Sequence, residues 1–179
     1  GQVIKNVALA NEVFAEGLTV LNDKVYQITW QEGICFIYDK DLNQLNKTGF
    51  RSTNDQGWGL TNDGKSLIVS DGSHKLTFLN PENMAVEKVI SVYGGENEAT
   101  YINELEYVDG YIYANIYTTD QIAKIEASTG KIISVADMSA LKAENQDGEV
   151  LNGIAYLPNK KTFLVTGKYW KNMYEIQFD

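Results

Sequence analysis

The chain contains little cysteine, histidine or proline, and each scarcity narrows the range of structures and functional sites that the chain can have. Its single cysteine, Cys35, excludes an internal disulfide, and its place in the apolar run 33–38 predicts a buried packing thiol rather than a nucleophile. The single histidine, His74, follows a Gly-Ser turn, which disfavours histidine-based catalysis and histidine-rich zinc sites. The chain has only two prolines but eleven tyrosines, a composition that suits pleated strands with packed side chains.

Long apolar runs, helical periodicity and net positive charge are lacking as well. No run approaches the roughly 20 apolar residues that a membrane helix needs. Apolar residues at the helical period are nearly absent, and only residues 139–144 predict a turn or two of helix. The chain carries 24 acidic and 15 basic residues, and a net charge of −9 repels phosphate backbones, so we expect no nucleic-acid partner.

A short residue group, Gly-Leu-Thr or a variant of it, occurs four times along the chain, at 17–19, 59–61, 104–106 and 153–155. We call it the Gly-Leu group. Its central apolar residues, Leu18, Leu60, Leu105 and Ile154, are 42, 45 and 49 positions apart. A period of this size, with strand-like sequence between the copies, is typical of β-propeller blades. The repeat therefore predicts an all-β propeller with a single domain over residues 1–179 and blade repeats at about 16–50, 58–93, 103–137 and 152–179.

Within each repeat, strand-like segments alternate with turn signals. In the second repeat, the Asn-Asp-Gly turn at 62–64 precedes strands predicted at 66–70 and 75–79. The other segments that we predict as strands are 24–30, the run holding Cys35, 44–50, 111–117, 121–126, 131–135, 162–166 and 173–178. The last repeat therefore has one strand fewer than a four-stranded blade requires.

Residues 1–9 are predicted to form an outer strand, because the sequence at 1–4 resembles that at 130–133. Such a strand could complete the fourth blade and close a ring of four. It could instead be the last strand of a blade that precedes residue 1. The second interpretation is favoured by the family resemblance described next.

Eight short segments carry a further signal through their order along the chain. They are residues 14–19, 28–30, 57–61, 70–73, 103–108, 114–115, 151–155 and 165–170. Together they resemble the plant-type glutaminyl cyclases, also called glutamine cyclotransferases, over nearly the whole chain. No single segment is diagnostic, but eight of them in family order argue against accidental similarity.

The resemblance implies a five-bladed propeller of the glutamine cyclotransferase type, with about four blade repeats in this chain and an active site at one end of the central channel. Members of this family convert an N-terminal glutamine into pyroglutamate and release ammonia, an acyl transfer of the aminoacyltransferase type. The chemistry requires no metal, and we expect no cofactor. The expected partners are peptides or proteins that begin with glutamine, and the expected location is secreted or periplasmic.

Three polar residues are assigned to the reaction by this resemblance. Glu16 matches the family's catalytic acid, and one carboxyl group can take a proton from the attacking amine and return it to the leaving ammonia. A partly apolar setting beside Phe14 would raise its pKa. Asn103 and Lys168 match groups that hold the substrate, and the lysine can stabilise a developing oxyanion or pair with Glu16. Each residue also has an alternative interpretation without a role in catalysis. Glu16 would cap a turn, Asn103 would close a turn, and Lys168 would be a surface lysine.

Three aromatic residues are assigned to substrate binding in the same way. Trp30 and Trp58 match walls of the family's pocket, and Tyr117 stands where the family often has tryptophan. The glycines on both sides of Trp58 favour a backbone close to a pocket or channel. Tryptophans in propellers also pack between blades, which is the alternative interpretation for both.

One departure from the family leaves two classes of function open. Family members carry an earlier blade with a Phe-Thr-Gln-Gly-Leu segment whose glutamine lines the site, and this chain has no such segment. The first expectation is a glutaminyl-peptide cyclotransferase in which Glu16 shuttles protons. The alternative is a non-catalytic propeller that binds a peptide or protein through the same aromatic funnel.

Overall fold

The computed structural model describes residues 2–178, and almost all of their regular structure is antiparallel β-sheet. The first sheet comprises β1 (Ala15–Leu21), β2 (Lys24–Thr29), β3 (Ile34–Asp39) and β4 (Gln44–Gly49). The second comprises β5 (Leu60–Asn62), β6 (Leu67–Ser70), β7 (Lys75–Leu79) and β8 (Val86–Ser91). A small hairpin of β9 (Tyr93–Gly94) and β10 (Asn97–Glu98) follows it.

The third sheet comprises β11 (Ile102–Val108), β12 (Tyr111–Ile116), β13 (Gln121–Glu126) and β14 (Ile132–Asp137). The short helix α1 (Ser139–Ala143) leads to the fourth sheet, which comprises β15 (Leu151–Leu157), β16 (Thr162–Gly167) and β17 (Tyr174–Ile176). None of the helices in residues 2–178 is both long and apolar enough to cross a membrane.

In each of the four sheets the strands follow one another in chain order, so every connection is a hairpin. The residues in the tightest turns adopt backbone conformations that their residue types favour. Asn22 and Asp23 join β1 to β2 with φ of 50° and 62°, and Asp109 and Gly110 join β11 to β12 with φ of 49° and 88°. Two successive positive φ angles define the type I′ hairpin, which Asn, Asp and Gly adopt at low cost.

The hydrophobic core lies between neighbouring sheets, because the central strands of each sheet are covered on both faces. Along β6, Leu67 and Val69 pack toward the first sheet, whereas Ile68 packs toward the third. Ile112 and Tyr113 on β12 divide in the same way between the second and fourth sheets. Side chains alternate across a strand, so a continuous apolar run supplies two cores at once.

The first strands of the sheets pack in succession, β1 against β5, β5 against β11 and β11 against β15. This is the arrangement of four propeller blades around an axis, and the all-β propeller prediction is confirmed. The four sheets lie close to the four predicted repeats, although β1, β11 and β15 each begin one residue before the predicted start, and the last sheet has three strands. A fifth blade and the treatment of residues 1–179 as one domain stay predictions.

The N-terminal segment differs from the expectation. Residues 2–10 form no strand, and residue 1, which also belongs to the predicted strand, lies outside the described residues. Val3 and Ile4 are 77% and 97% exposed, so these apolar side chains do not pack against any sheet of the described residues. Farther along, Leu9 and Val13 pack beside Phe36 on the first sheet. Within the described residues this segment does not complete the fourth blade, and its assignment to a blade that precedes residue 1 stays a prediction.

Candidate functional site

One cavity, of about 210 Å³, gathers side chains from all four sheets and their strand ends. Its lining contains all six residues that the sequence analysis assigns to a site, together with one aromatic residue that it does not: Phe14, Glu16, Trp30, Trp58, Asn103, Tyr117 and Lys168. These positions are far apart in sequence and meet only because the blades converge on a common axis.

The first strands of three sheets share an irregularity at the residues that approach this axis. The pairing register of β1 shifts around Glu16, that of β11 around Asn103 and that of β15 around Asn152. A bulge takes a residue out of the hydrogen-bonded ladder and redirects its side chain. The repeated bulge therefore places a carboxyl group and a carboxamide at equivalent positions of two blades.

Two glycines beside the bulges allow neighbouring blades to approach closely. A Cβ atom on Gly17 would lie 2.4 Å from the backbone nitrogen of Leu60, and one on Gly59 would lie 2.1 Å from the carbonyl oxygen of Asn103. Both distances are too short for a non-bonded contact between a Cβ atom and backbone. These contacts set the spacing at which Glu16 and Asn103 face the same cavity.

The backbone of Asn103 is held by a hydroxyl group from the preceding blade. Ser70 Oγ donates to the Asn103 carbonyl oxygen at 2.7 Å and accepts from the Gly59 N–H at 2.8 Å. The side-chain oxygen Oδ1 of Asn103 is buried and has no hydrogen-bond partner. A buried acceptor without a partner is costly, so an N–H group of a ligand would satisfy it.

Two edge-to-face aromatic pairs form walls of the cavity. The rings of Phe14 and Trp30 have centroids 6.1 Å apart, and those of Trp58 and Tyr117 are 5.5 Å apart. The Trp58 indole lies against Gly72, where a Cβ atom would come within 2.6 Å of the ring. Edge-to-face pairs of this kind contribute more stabilisation than the burial of their apolar area alone would give.

Lys168 follows the last residue of β16 and enters the cavity from the fourth blade. Its Nζ lies 5.2 Å from the centre of the Tyr117 ring, within the range of a cation–π contact. The backbone around it is fixed by Trp170, whose indole packs where a Cβ atom on Gly167 would stand and whose N–H donates to the Glu149 carbonyl oxygen at 2.9 Å. The lysine is therefore presented by a constrained loop.

Burial raises the pKa of Glu16 above its ordinary value, and the positive charge of Lys168 opposes this rise. A second carboxyl group, Glu104, directly follows Asn103. The pKa of Glu104 is raised to about 7, chiefly by burial and also by the negative charges of Glu16 and Glu106, whereas the positive charge of Lys168 opposes the rise. Two carboxyl groups and one ammonium group therefore lie close enough for their charges to influence one another, although only Glu16 and Lys168 line the cavity.

Glu104 occupies the position at which the other three repeats have glycine. Burial also raises the pKa of its neighbour Glu106 to about 7, although the Tyr156 N–H donates to this carboxyl at 3.1 Å. Hydrogen bonds from backbone to side chain link the third and fourth blades here. One is this bond from Tyr156 to Glu106, and in the other the Gly153 N–H donates to Asn115 Oδ1 at 3.0 Å. Sequence reasoning missed Glu104, although its departure from the repeated glycine was a visible signal.

Other reactive residues are placed as the sequence indicates. Cys35 is fully buried, and burial raises the pKa of its thiol to about 12, so it is a packing residue. His74 lies 3.2 Å from a carboxylate oxygen of Glu98 and does not line the cavity. Asp71 holds a turn by accepting from Thr53 and Ser73. Within residues 2–178, no cluster of three metal-binding side chains occurs.

Gln56 is a further residue that sequence reasoning missed. Its Oε1 accepts hydrogen bonds from the indole N–H groups of both Trp30 and Trp58. The only available signal was its position, one residue before the Gly57-Trp58 segment.

The family model described as glutamine cyclotransferase matches residues 1–178. The chain is 38% identical over 174 residues to the glutaminyl-peptide cyclotransferase of Arabidopsis thaliana. This match covers 93% of the chain and 53% of the relative, so the chain spans about half of that protein's length. The crystal structure of Myxococcus xanthus glutaminyl cyclase matches with a TM-score of 0.87 and 34% identity, over 93% of this chain and 73% of that one.

Proposed function

Because the chain belongs to the glutamine cyclotransferase family, we propose that it is a glutaminyl-peptide cyclotransferase. It would convert the N-terminal glutamine of peptides or proteins into pyroglutamate with release of ammonia. The observation that supports this best is the single cavity containing a carboxyl, an ammonium and a carboxamide group between aromatic walls. Its volume of about 210 Å³ suits one terminal residue, because pockets for drug-sized ligands usually exceed about 300 Å³.

The proposed reaction joins two parts of one residue. The neutral α-amine attacks the γ-carboxamide carbon, a C–N bond forms, and the carbonyl oxygen becomes an oxyanion. The bond from that carbon to the amide nitrogen then breaks, the carbonyl re-forms and ammonia leaves. Amine and carbonyl belong to the same residue, so holding it in a closed conformation supplies much of the acceleration.

Glu16 is the proposed proton shuttle. As a carboxylate it accepts a proton from the attacking nitrogen, and as a carboxylic acid it returns this proton to the leaving nitrogen. Its raised pKa makes the carboxylate a stronger base than an exposed glutamate, and the positive charge of Lys168 favours the ionised form with which the cycle begins.

Lys168 and Asn103 are proposed to hold the carboxamide and its oxyanion. The ammonium group of Lys168 stabilises the negative charge that develops on the oxygen. The unpartnered Oδ1 of Asn103 accepts from an N–H group of the substrate. Trp30, Trp58 and Tyr117, together with Phe14, enclose the aliphatic part of the glutamine side chain and exclude water.

Ammonia release from a glutamine-initiated peptide tests the proposal. We expect release from Gln-Xaa peptides and none from the same peptides with an acetylated N-terminus, because acetylation removes the nucleophile. Peptides that begin with asparagine should be inert, since the shorter side chain would have to close a strained four-membered ring. The alternative, a non-catalytic propeller that binds peptides, predicts binding of the glutamine peptide without ammonia. Secretion or export to the periplasm stays a prediction.

A further inference from the structure

One oxygen atom joins two walls of the cavity that come from different blades. Trp30 follows β2 of the first sheet, and Trp58 precedes β5 of the second. Gln56 Oε1 accepts the indole N–H of Trp30 at 2.8 Å and that of Trp58 at 2.9 Å. An indole has one hydrogen-bond donor, so this acceptor satisfies the entire donor capacity of both rings.

The backbone that carries Gln56 is held independently of its side chain. The Gln56 N–H donates to Ser52 Oγ at 3.1 Å, and the Ser52 hydroxyl donates to the Gln56 carbonyl oxygen at 2.6 Å. Earlier in the same loop, the Asn54 N–H donates to the Asp71 carboxylate at 2.9 Å. A substitution that changes only the carboxamide of Gln56 therefore leaves the anchors of the loop in place.

The two indoles need this restraint to different degrees. Trp58 is already confined by Gly72 and Tyr117. Trp30 is 38% exposed and has only the edge of Phe14 as an aromatic neighbour. Without a fixed acceptor, its ring would lose rotamer freedom when the substrate binds, and that entropy would be subtracted from the affinity.

We propose that Gln56 is a positioning residue, which holds Trp30 and Trp58 in the orientation that receives the N-terminal residue of the substrate. This rests on the proposed function and adds a determinant of affinity to it. Gln56 does not line the cavity, so it acts through the two indoles rather than by touching the reacting atoms.

Methionine and glutamate at position 56 separate the hydrogen bonds from the bulk of the side chain. Methionine has nearly the volume of glutamine but offers the indoles no strong acceptor. Glutamate keeps a carboxyl oxygen at the end of a chain of the same length. Gln56→Met should therefore release the indoles, and Gln56→Glu should retain them. Gln44→Met, at an exposed site on β4, is the matched control.

The indole N–H signals of the ¹⁵N-labelled protein report this link directly, because the chain has three tryptophans. We expect Gln56→Met to shift the signals of Trp30 and Trp58 and to speed their hydrogen exchange. The signal of Trp170, which donates to Glu149, should stay in place as an internal reference. Gln56→Glu should keep exchange slow, and Gln44→Met should leave all three signals unchanged.

Kinetics with a Gln-Xaa peptide test the consequence for the substrate. Loss of ordered walls should raise KM by about 5- to 20-fold and leave kcat within about twofold of the parent, the pattern of lost uniform binding. Gln56→Glu should restore KM to within about threefold. A Gln56→Met protein with parental KM, or with unchanged indole signals, overturns the proposal.

The two proposals fail in different ways. If the parent protein releases no ammonia, the proposed function is wrong, while the indole signals still decide whether Gln56 restrains the rings. If the parent is active and Gln56→Met lowers kcat without raising KM, the cyclotransferase assignment stands and the positioning role is wrong. Equal melting temperatures of parent and variants exclude misfolding as the cause.

Discussion

Glu16 on the first blade and Lys168 on the fourth line the same cavity, and the ammonium charge of Lys168 opposes the rise that burial produces in the pKa of Glu16. Burial is the larger of the two effects, so the pKa of the carboxyl stays above its ordinary value. A raised pKa makes the carboxylate more basic, which favours the acceptance of a proton from an attacking amine.

Glu16→Gln should abolish the shuttle while preserving the shape of the side chain. We expect kcat for ammonia release to fall by about 10²-fold or more, the usual contribution of a positioned acid–base group. The matched control is Glu12→Gln, at an exposed glutamate four residues earlier, which should keep the parental rate. Full activity of Glu16→Gln would show that another group transfers the proton.

Lys168→Met should move the acidic limb of the pH–rate profile to higher pH. Lys168 lowers the pKa of Glu16, so removing its charge leaves burial unopposed, and the carboxylate forms only at a higher pH. The rate above that limb should also fall, by about 10- to 100-fold, from lost stabilisation of the oxyanion.

Lys168→Arg retains the charge and should keep the limb near its parental position. Lys171→Met, which removes an exposed lysine paired with Asp147, should change neither limb nor rate. An acidic limb that moves to lower pH in Lys168→Met would contradict the assignment of this limb to Glu16.

Glu104→Gln should stabilise the fold increasingly as the pH rises. The folded-state pKa of Glu104 is about 7, above its ordinary value of 4.5, so the folded protein binds this proton more tightly than the unfolded chain does. The free energy of unfolding of the parent therefore falls as the pH rises from the unfolded pKa through the folded one. Glutamine removes this loss.

Urea unfolding of the parent and Glu104→Gln at pH 5 and pH 8 measures the difference. We expect the advantage of the variant to grow by about 1–3 kcal/mol between these conditions. Glu96→Gln, at an exposed glutamate in the β9–β10 turn, should show no such growth. An advantage that shrinks as the pH rises would mean that the Glu104 carboxylate is stabilised in the fold.

Gly59→Ala should disrupt the contact between the second and third blades. The added Cβ would lie 2.1 Å from the Asn103 carbonyl oxygen, and its three nearest neighbours are all backbone atoms of residues 103–104, so no flexible side chain can yield. We expect a loss of about 2–4 kcal/mol in the free energy of unfolding, as for other severe overpacking.

Gly49→Ala provides the comparison, because its Cβ would meet only the Gly33 carbonyl oxygen at an ordinary 3.7 Å. Its free energy of unfolding should stay within about 0.5 kcal/mol of the parent. Equal melting temperatures for the two alanine variants would contradict the close approach of the blades at Gly59.

The propeller could be predicted from sequence because its determinants are local. The Asp109-Gly110 turn, the apolar run of β6 and the recurring Gly-Leu group each act within a few residues, and each repeats with the period of one blade. Residues 2–10 show the limit of this reasoning. Their apolar pattern resembles that of an outer strand, but a strand forms only where a neighbouring edge completes its hydrogen bonds.

The candidate site was predictable in part, and for another reason. Resemblance to a family selected six side chains, and the structure places them around one cavity, although their roles in the reaction stay proposals. Gln56 and Glu104 were not selected. The importance of Gln56 depends on two indoles that arrive from different blades, and that of Glu104 on burial and on charges brought near by folding.

The strands, the turns and the blade repeat follow from local sequence, because backbone conformation and side-chain alternation are set by neighbouring residues. Which charges oppose one another, which donors share an acceptor and which carboxyl groups have raised pKa values became visible only in the folded protein. Those properties depend on distance and burial in three dimensions, and both are fixed by the convergence of the blades on one axis.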